Sequence, residues 1–195
     1  MTICSIVEGD GEVEAVPILL RRIAAEVSPE IILHVPRPIR LPRTKIKRDD
    51  ELKRAVQLAK LGIKGTGGIF ILMDADDDCP AKLGPRLKER SLAVAGDVPV
   101  GVVIAKAEFE AWFLAAAESI AGKRGLAANL TAPQDPESIR AAKGWLDRQM
   151  PPNRCYRETL DQPALASLFD MASARRAQSF AKCYREVAKL LQGTP

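Results

Sequence analysis

The sequence predicts an α/β protein: a mostly parallel sheet with helices on both faces, followed by a helical C-terminal extension. Three observations carry this expectation. Strand and helix signals alternate from Thr2 to Gly122. The strand segments are near-continuous apolar runs, as expected of strands covered on both faces. Beyond Gly122 strand signals stop, and loop-like stretches separate helical ones.

"TICSIVE", Thr2 to Glu8, reads as a buried strand that ends on an acid. Val13 to Val27 reads as a helix with Val16, Leu19, Leu20 and Ile23 on one face, and with Pro17 near its first turn. "EIILHVP", Glu30 to Pro36, is expected as a second strand. A basic, proline-rich loop follows. Asp49 to Ile63 gives a second helix, capped by Asp49 or Asp50 and ended by Gly62 or Gly65. Ile69 to Met73 is the centre of a third strand, which runs into Asp74-Ala75-Asp76-Asp77-Asp78. Pro80 to Ala95 is a helix with an expected interruption at Gly84-Pro85. Val98 to Glu110 contains a fourth strand, and Glu108 to Gly122 a fourth helix. In the tail, helices are expected near Ser138–Gln149, Pro163–Met171 and Ala174–Leu191, and the final Thr-Pro as loop. Residues 1–122 thus form an α/β core, and residues 123–195 an extension packed on it.

The chain has 195 residues, 47% hydrophobic and 28% charged, enough to bury a single-domain core without staples and too apolar for global disorder. The four cysteines, Cys4, Cys79, Cys155 and Cys183, show no CxxC spacing, which excludes zinc-ribbon and dithiol redox motifs. No basic leader opens the chain, and no apolar run reaches the ~20 residues of a membrane helix. The expectation is a cytoplasmic protein with reduced thiols and no membrane partner. His34 is the one histidine and lies in a strand pattern, so Ser-His-Asp or Cys-His chemistry is disfavoured. Carboxylates, or a metal that they hold, become the natural alternative.

The net charge is +4, unevenly spread. "RPIRLPRTKIKR" holds Arg37, Arg40, Arg43, Lys45, Lys47 and Arg48 and no acid. It is either a solvated loop or an arm for a nucleic-acid backbone, with binding steeply dependent on salt. Two Trp and two Tyr leave little scope for base stacking.

In open parallel sheets, functional groups gather outside the carboxyl ends of the strands. Three expected strands end in acids there: Glu8; Asp74 and Asp76; and Glu108 or Glu110. A glycine turn opening a helix ordinarily offers its amides to an anion. Here Gly9 and Gly11 flank Asp10, and Glu12 and Glu14 add charge, so bare phosphate would be repelled. Clustered carboxylates suit a hard divalent ion, Mg2+ or Mn2+, which then receives phosphate oxygens. The expected ligands are Glu8, Asp74, Asp76 and, of the later pair, Glu108. The Glu110-Ala-Trp112-Phe113 segment is read as core packing. Lys106, Lys143 and Lys182 are candidates for a fixed cation, and Arg154, Tyr156 and Arg157 are further candidates in the tail.

Glu8-Gly9 and Asp74-Ala75-Asp76 resemble the acid pattern of the Toprim domain, shared by topoisomerases, primases and the overcoming-lysogenization-defect nucleases. More closely, "VEGDGEVEAVPILLRRI", "ILMDADDD", "AKAEFEAWFLAAAESI" and "AQSFAKCYREVAKLL" are similar to an uncharacterised bacterial Toprim-like family, domain-of-unknown-function family 4276. The likeness implies a Toprim-like, Rossmann-like sheet and a Mg2+-dependent site acting on phosphodiester bonds. It implies Glu8 as general acid or base, or as ligand, and Asp74 and Asp76 as ligands. It also implies an ATPase partner in phage or plasmid defence.

The expected function is therefore a Mg2+-dependent nuclease or other phosphoryl-transfer enzyme acting on nucleic acid. The alternatives are a non-catalytic nucleic-acid- or protein-binding partner of an ATPase, and a phosphatase-like domain with Asp74 as phosphoryl acceptor. Homo-oligomers are compatible with each.

Overall fold

Side chains alternate across a sheet, so one strand serves two cores. Ile3, Val7, Phe70, Leu72, Val103 and Ala105 enter one buried cluster, while Cys4, Ile6, Ile69, Ile71, Met73, Val102 and Ile104 enter the other. The computed structural model describes residues 1–193; Thr194-Pro195, expected as loop, lie outside the described residues. The strands are β1 (Thr2–Val7), β2 (Ile39–Arg40), β3 (Gly67–Asp74) and β4 (Val100–Ala105). They form one all-parallel sheet in the order β2-β1-β3-β4.

Helix α1 (Asp10–Val27) covers the first face with Val13, Val16, Leu19, Leu20 and Ile23. The short α2 (Arg43–Ile46) leads into α3 (Asp49–Gly62), which covers the second face together with α4 (Pro80–Ala95). After β4 come α5 (Ala111–Ala115), α6 (Ala117–Ile120), a 3-10 turn (Pro136–Ser138), α7 (Ala142–Arg148), α8 (Glu158–Leu168), α9 (Met171–Ala174) and α10 (Gln178–Gln192). Leu146, Leu165, Phe169, Phe180, Val187 and Leu190 from this tail complete the first-face core. This is a Rossmann-like α/β arrangement with helices on both faces. No described helix is long and apolar enough to cross a membrane.

Several local expectations change. Glu30–Pro36 is not a strand; it makes one isolated bridge, Thr2 to His34, and the edge strand comes later, at Ile39–Arg40. Ile32 and His34 are exposed while Ile31, Leu33 and Val35 pack on the first-face core, so the segment buries one face without extending the sheet beyond that bridge. Helix α1 starts three residues earlier than expected, at Asp10, which places Pro17 well inside it. Helix α4 runs unbroken through Gly84-Pro85. The helix expected over Glu108–Gly122 is split at Ala116, whose φ of −116° and ψ of 29° leave the helical region.

Candidate functional site

The connection from β1 runs to β2 on one side, and that from β3 runs to β4 on the other. The order therefore reverses between β1 and β3, the point at which open α/β sheets take their ligands. Val7 pairs with Leu72, and Asp74 with Ala105. Glu8 is thereby delivered beside Asp74, and its Oε2 accepts the Asp74 N–H at 3.3 Å. Asp74 Oδ1 accepts the Phe109 N–H at 2.8 Å, which ties the segment after β4 to the same point.

The early start of α1 turns Glu12 inward, where it is 4% exposed. Glu110 is fully buried; its Oε1 accepts from Tyr156 Oη at 3.1 Å and from Gln162 Nε2 at 3.2 Å. Glu12 Oε2, Glu110 Oε2 and Gln162 Oε1 are buried with no hydrogen-bond partner in the chain. The two glycines explain the turn. A Cβ on Gly9 would collide with Glu12 Oε2 and lie 3.0 Å from Glu158 Oε1. One on Gly11 would collide with Gln162 Oε1 and lie 2.6 Å from Glu158 Cγ. Glycine suits both positions because α8 and the acids press against the turn's backbone.

Electrostatics follow from this crowding. Desolvation raises the pKa of Asp74 well above the ordinary carboxylate value, and Glu110, Glu12 and Glu8 push it further in the same direction. Desolvation also raises Glu8, opposed by Arg43, and raises Glu12, where Glu158 adds to the effect. Glu110 is pushed up to about 8 by burial, against the pull of Lys143. For Lys143 burial alone would depress the pKa, yet Glu110, Glu158 and Asp74 hold it above its ordinary value. Lys143 Nζ pairs with Glu158 at 3.1 Å. Near neutral pH Glu110 keeps its proton, and its crowded neighbours disfavour further negative charge.

The structure distributes the expected residues unequally. Glu8 and Asp74 meet. Asp76 lies in the following turn, half-exposed, with φ +47°. Glu108 Oε2 accepts the Lys143 backbone N–H at 2.9 Å, while Glu110, read as core packing, enters the buried cluster. Arg43 leaves the expected arm and fills the acidic rim. Its guanidinium donates to the carbonyls of Asp74 and Ala75, both at 2.6 Å, and to Asp78. It also lies 3.2 Å from Asp76 and 3.8 Å from Glu8. Arg37 pairs with Glu14, Arg40 with Asp10, Lys47 with Asp78 and Arg48 with Asp50. Among the described residues, Lys45 is the one member of the basic run with no ion pair.

Sequence reasoning missed Glu158 and Gln162 and undervalued Glu12 and Glu110. Glu158 and Gln162 are four residues apart and share one face of α8, a spacing visible in advance. What α8 faces was not. Among the described residues, no group of three His, Cys, Asp or Glu side chains stands in a metal-holding arrangement. The donors themselves are oxygen-only, and two of the orphaned atoms are carboxylate oxygens, which is the chemistry a hard divalent ion takes.

No curated protein and no solved structure matches the chain. One family does, described as a domain of unknown function (DUF4276), over residues 7–188. That span runs from the last residue of β1 through most of α10 and holds every acid described above, and the chain belongs to the DUF4276 family.

Proposed function

We propose that the chain is a divalent-cation-dependent phosphoryl-transfer enzyme, a nuclease acting on phosphodiester bonds of nucleic acid. The observation that carries this is the convergence of Glu8, Glu12, Asp74 and Glu110 at the switch point of the sheet, with carboxylate oxygens buried and unpartnered. Like charges are gathered there at a cost to folding that an added cation would relieve. Mg2+ or Mn2+ would be held by Asp74 and Glu8 with the orphaned oxygen of Glu12. When bound, such an ion neutralises phosphate charge and acidifies a water.

The chain's own groups supply the rest. Glu110, protonated near neutral pH, holds a proton within the site and is oriented by Tyr156 and Gln162. Lys143 keeps a fixed positive charge facing the acids. The resemblance to Toprim domains would give Glu8 the acid-base role, or a ligand role, and Asp74 and Asp76 the ligand roles; Asp76 can do so only when Arg43 releases it. An ATPase partner that presents the nucleic acid, in a phage-defence setting, belongs to the same proposal.

One observation favours a second function, a non-catalytic binding partner of an ATPase. Arg43 already neutralises the outer acids, so the rim is stable as it stands. Calorimetric titration of Mg2+ and Mn2+ into wild type and Asp74→Ala/Asp76→Ala, with cleavage of labelled DNA and RNA followed on the same samples, separates the two. The expected result is metal binding that the variant loses, with cleavage falling by about 100-fold or more. No metal binding in the wild type would leave the non-catalytic function.

A further inference from the structure

We propose that Arg124, Arg154 and Arg157 form a phosphate-binding subsite that takes a phosphodiester group of a nucleic-acid strand leading into the acidic site. The inference rests on the nuclease proposal for what lies beyond the subsite, but its own geometry is separate.

The three arginines, with Asn153 and Cys155, line a cleft of about 510 Å³. Beneath it Asp161 is fully buried. Its Oδ1 accepts from Arg124 Nε at 3.2 Å, Arg124 Nη2 at 3.1 Å and Arg154 Nη2 at 3.0 Å. Its Oδ2 accepts the Arg157 backbone N–H at 2.9 Å. One buried carboxylate therefore fixes two guanidinium groups and the backbone that carries a third. Among the described residues, the Arg157 side chain has no ion pair, and the other donors of Arg124 and Arg154 have no acceptor. Three cations stand against one anion.

The backbone is also shaped to this end. Arg124 has φ +53°, an uncommon conformation for a residue with a side chain. Gly125 has φ +84°, and a Cβ there would lie 2.7 Å from Arg154 Nη1. An observed outlier that serves to hold two guanidinium groups together points to function at that turn. Guanidinium forks with free donors match phosphate oxygens in bidentate fashion, which favours phosphate over a single-point anion.

The subsite borders the acidic site through the chain itself. Tyr156 lies between Arg154 and Arg157 and donates to Glu110. Arg157 is followed directly by Glu158, about 3.8 Å away between Cα atoms, and Glu158 pairs with Lys143. A strand anchored on the arginines is thus brought beside carboxylates suited to phosphodiester chemistry.

The test is fluorescence anisotropy with short fluorescein-labelled single strands of DNA and RNA, and with labelled polyglutamate, over a series of NaCl concentrations. Wild type is expected to bind nucleic acid. Arg157→Ala is expected to weaken that binding about tenfold and to reduce the salt slope by about 0.7. Arg157→Lys should restore the slope but not the full affinity. Arg157 is the diagnostic position because its exposed side chain supports no buried group, whereas Arg154→Ala would unpair Asp161. Unchanged affinity in Arg157→Ala, binding of polyglutamate in place of nucleic acid, or no binding by wild type would each overturn the proposal. Mn2+ titration and strand cleavage on the same proteins distinguish the two failures. Arg157-dependent binding without metal uptake or cleavage keeps the subsite and ends the nuclease proposal. Metal uptake and cleavage with affinity indifferent to Arg157 ends the subsite alone.

Discussion

Glu110 has no contact with solvent, and its carboxyl is pushed up to about 8 from an ordinary 4.5 by burial. Below pH ~4.5 both folded and unfolded chains carry its proton, and no penalty exists. Between that pH and about 8 the folded state retains a proton that the unfolded chain has lost. The unfolded state then binds fewer protons, so stability falls as pH rises through this window and levels off above it. The raised values of Asp74, Glu8 and Glu12 act in the same direction. Thermal melts from pH 4 to pH 9 without divalent ions should therefore show Tm declining toward alkaline pH. Glu110→Gln should flatten the decline by about 3 °C or more. Asp74→Asn should raise Tm at pH 8, since it removes a charge that its neighbours oppose. A Tm that climbs from pH 5 to pH 8 in the wild type would contradict the electrostatic picture of the site.

At the scale of elements, the α1–α8 contact decides how the acids converge. Gly11 is buried in the first turn of α1, directly against Gln162 and Glu158 of α8. In an exposed helix, replacing glycine with alanine gains about 1 kcal/mol. Here the added methyl meets the fully buried Gln162 amide and the stem of Glu158. Overpacking of this kind costs about 1–3 kcal/mol and should win. Gly11→Ala is expected to lower stability in urea unfolding and to loosen the Glu110–Gln162 bond; a variant more stable than wild type would show that α8 yields freely. The strands that carry Glu8 and Asp74 were legible because continuous apolar runs with acidic ends have few other meanings. Glu12, Glu110 and Glu158 were not, because they reach the site from helix faces whose orientation depends on packing between distant segments. The fate of Arg43 was hidden for the same reason. Its charge reads as a ligand for nucleic acid until the DADDD turn is seen beneath it.

Across the whole molecule, the tail is part of the first-face core and not a cover laid over a finished one. Trp112 packs on Phe180, Phe180 on Phe169 and Phe169 on Phe113, with ring centroids 5.3, 5.4 and 5.5 Å apart. Trp112 Nε1 also donates to Ser179 Oγ at 2.8 Å. Arg22 of α1 donates to the carbonyls of Ala166 and Phe169, both at 2.8 Å. Apart from the Phe180–Phe169 pair within the tail, these links join residues more than 50 positions apart in the chain, so neither part can satisfy its buried groups alone. Removing residues 123–195 would expose the aromatic face of α5 and one side of α1 to water. Each large side chain uncovered forfeits about 1.5–3 kcal/mol. Phe169, Phe180, Leu165 and Leu190 together carry about 6–12 kcal/mol of burial, as much as the total stability of an ordinary domain. A fragment of residues 1–122 is therefore expected to show no cooperative melt by circular dichroism and to expose apolar surface to a hydrophobic dye. The same fragment lacks Lys143, Tyr156, Glu158 and Gln162, so adding the missing helices in trans should be required before Mn2+ titration shows any site. A fragment that melted cooperatively and bound Mn2+ unaided would place the whole site within the sheet and the helices of residues 1–122.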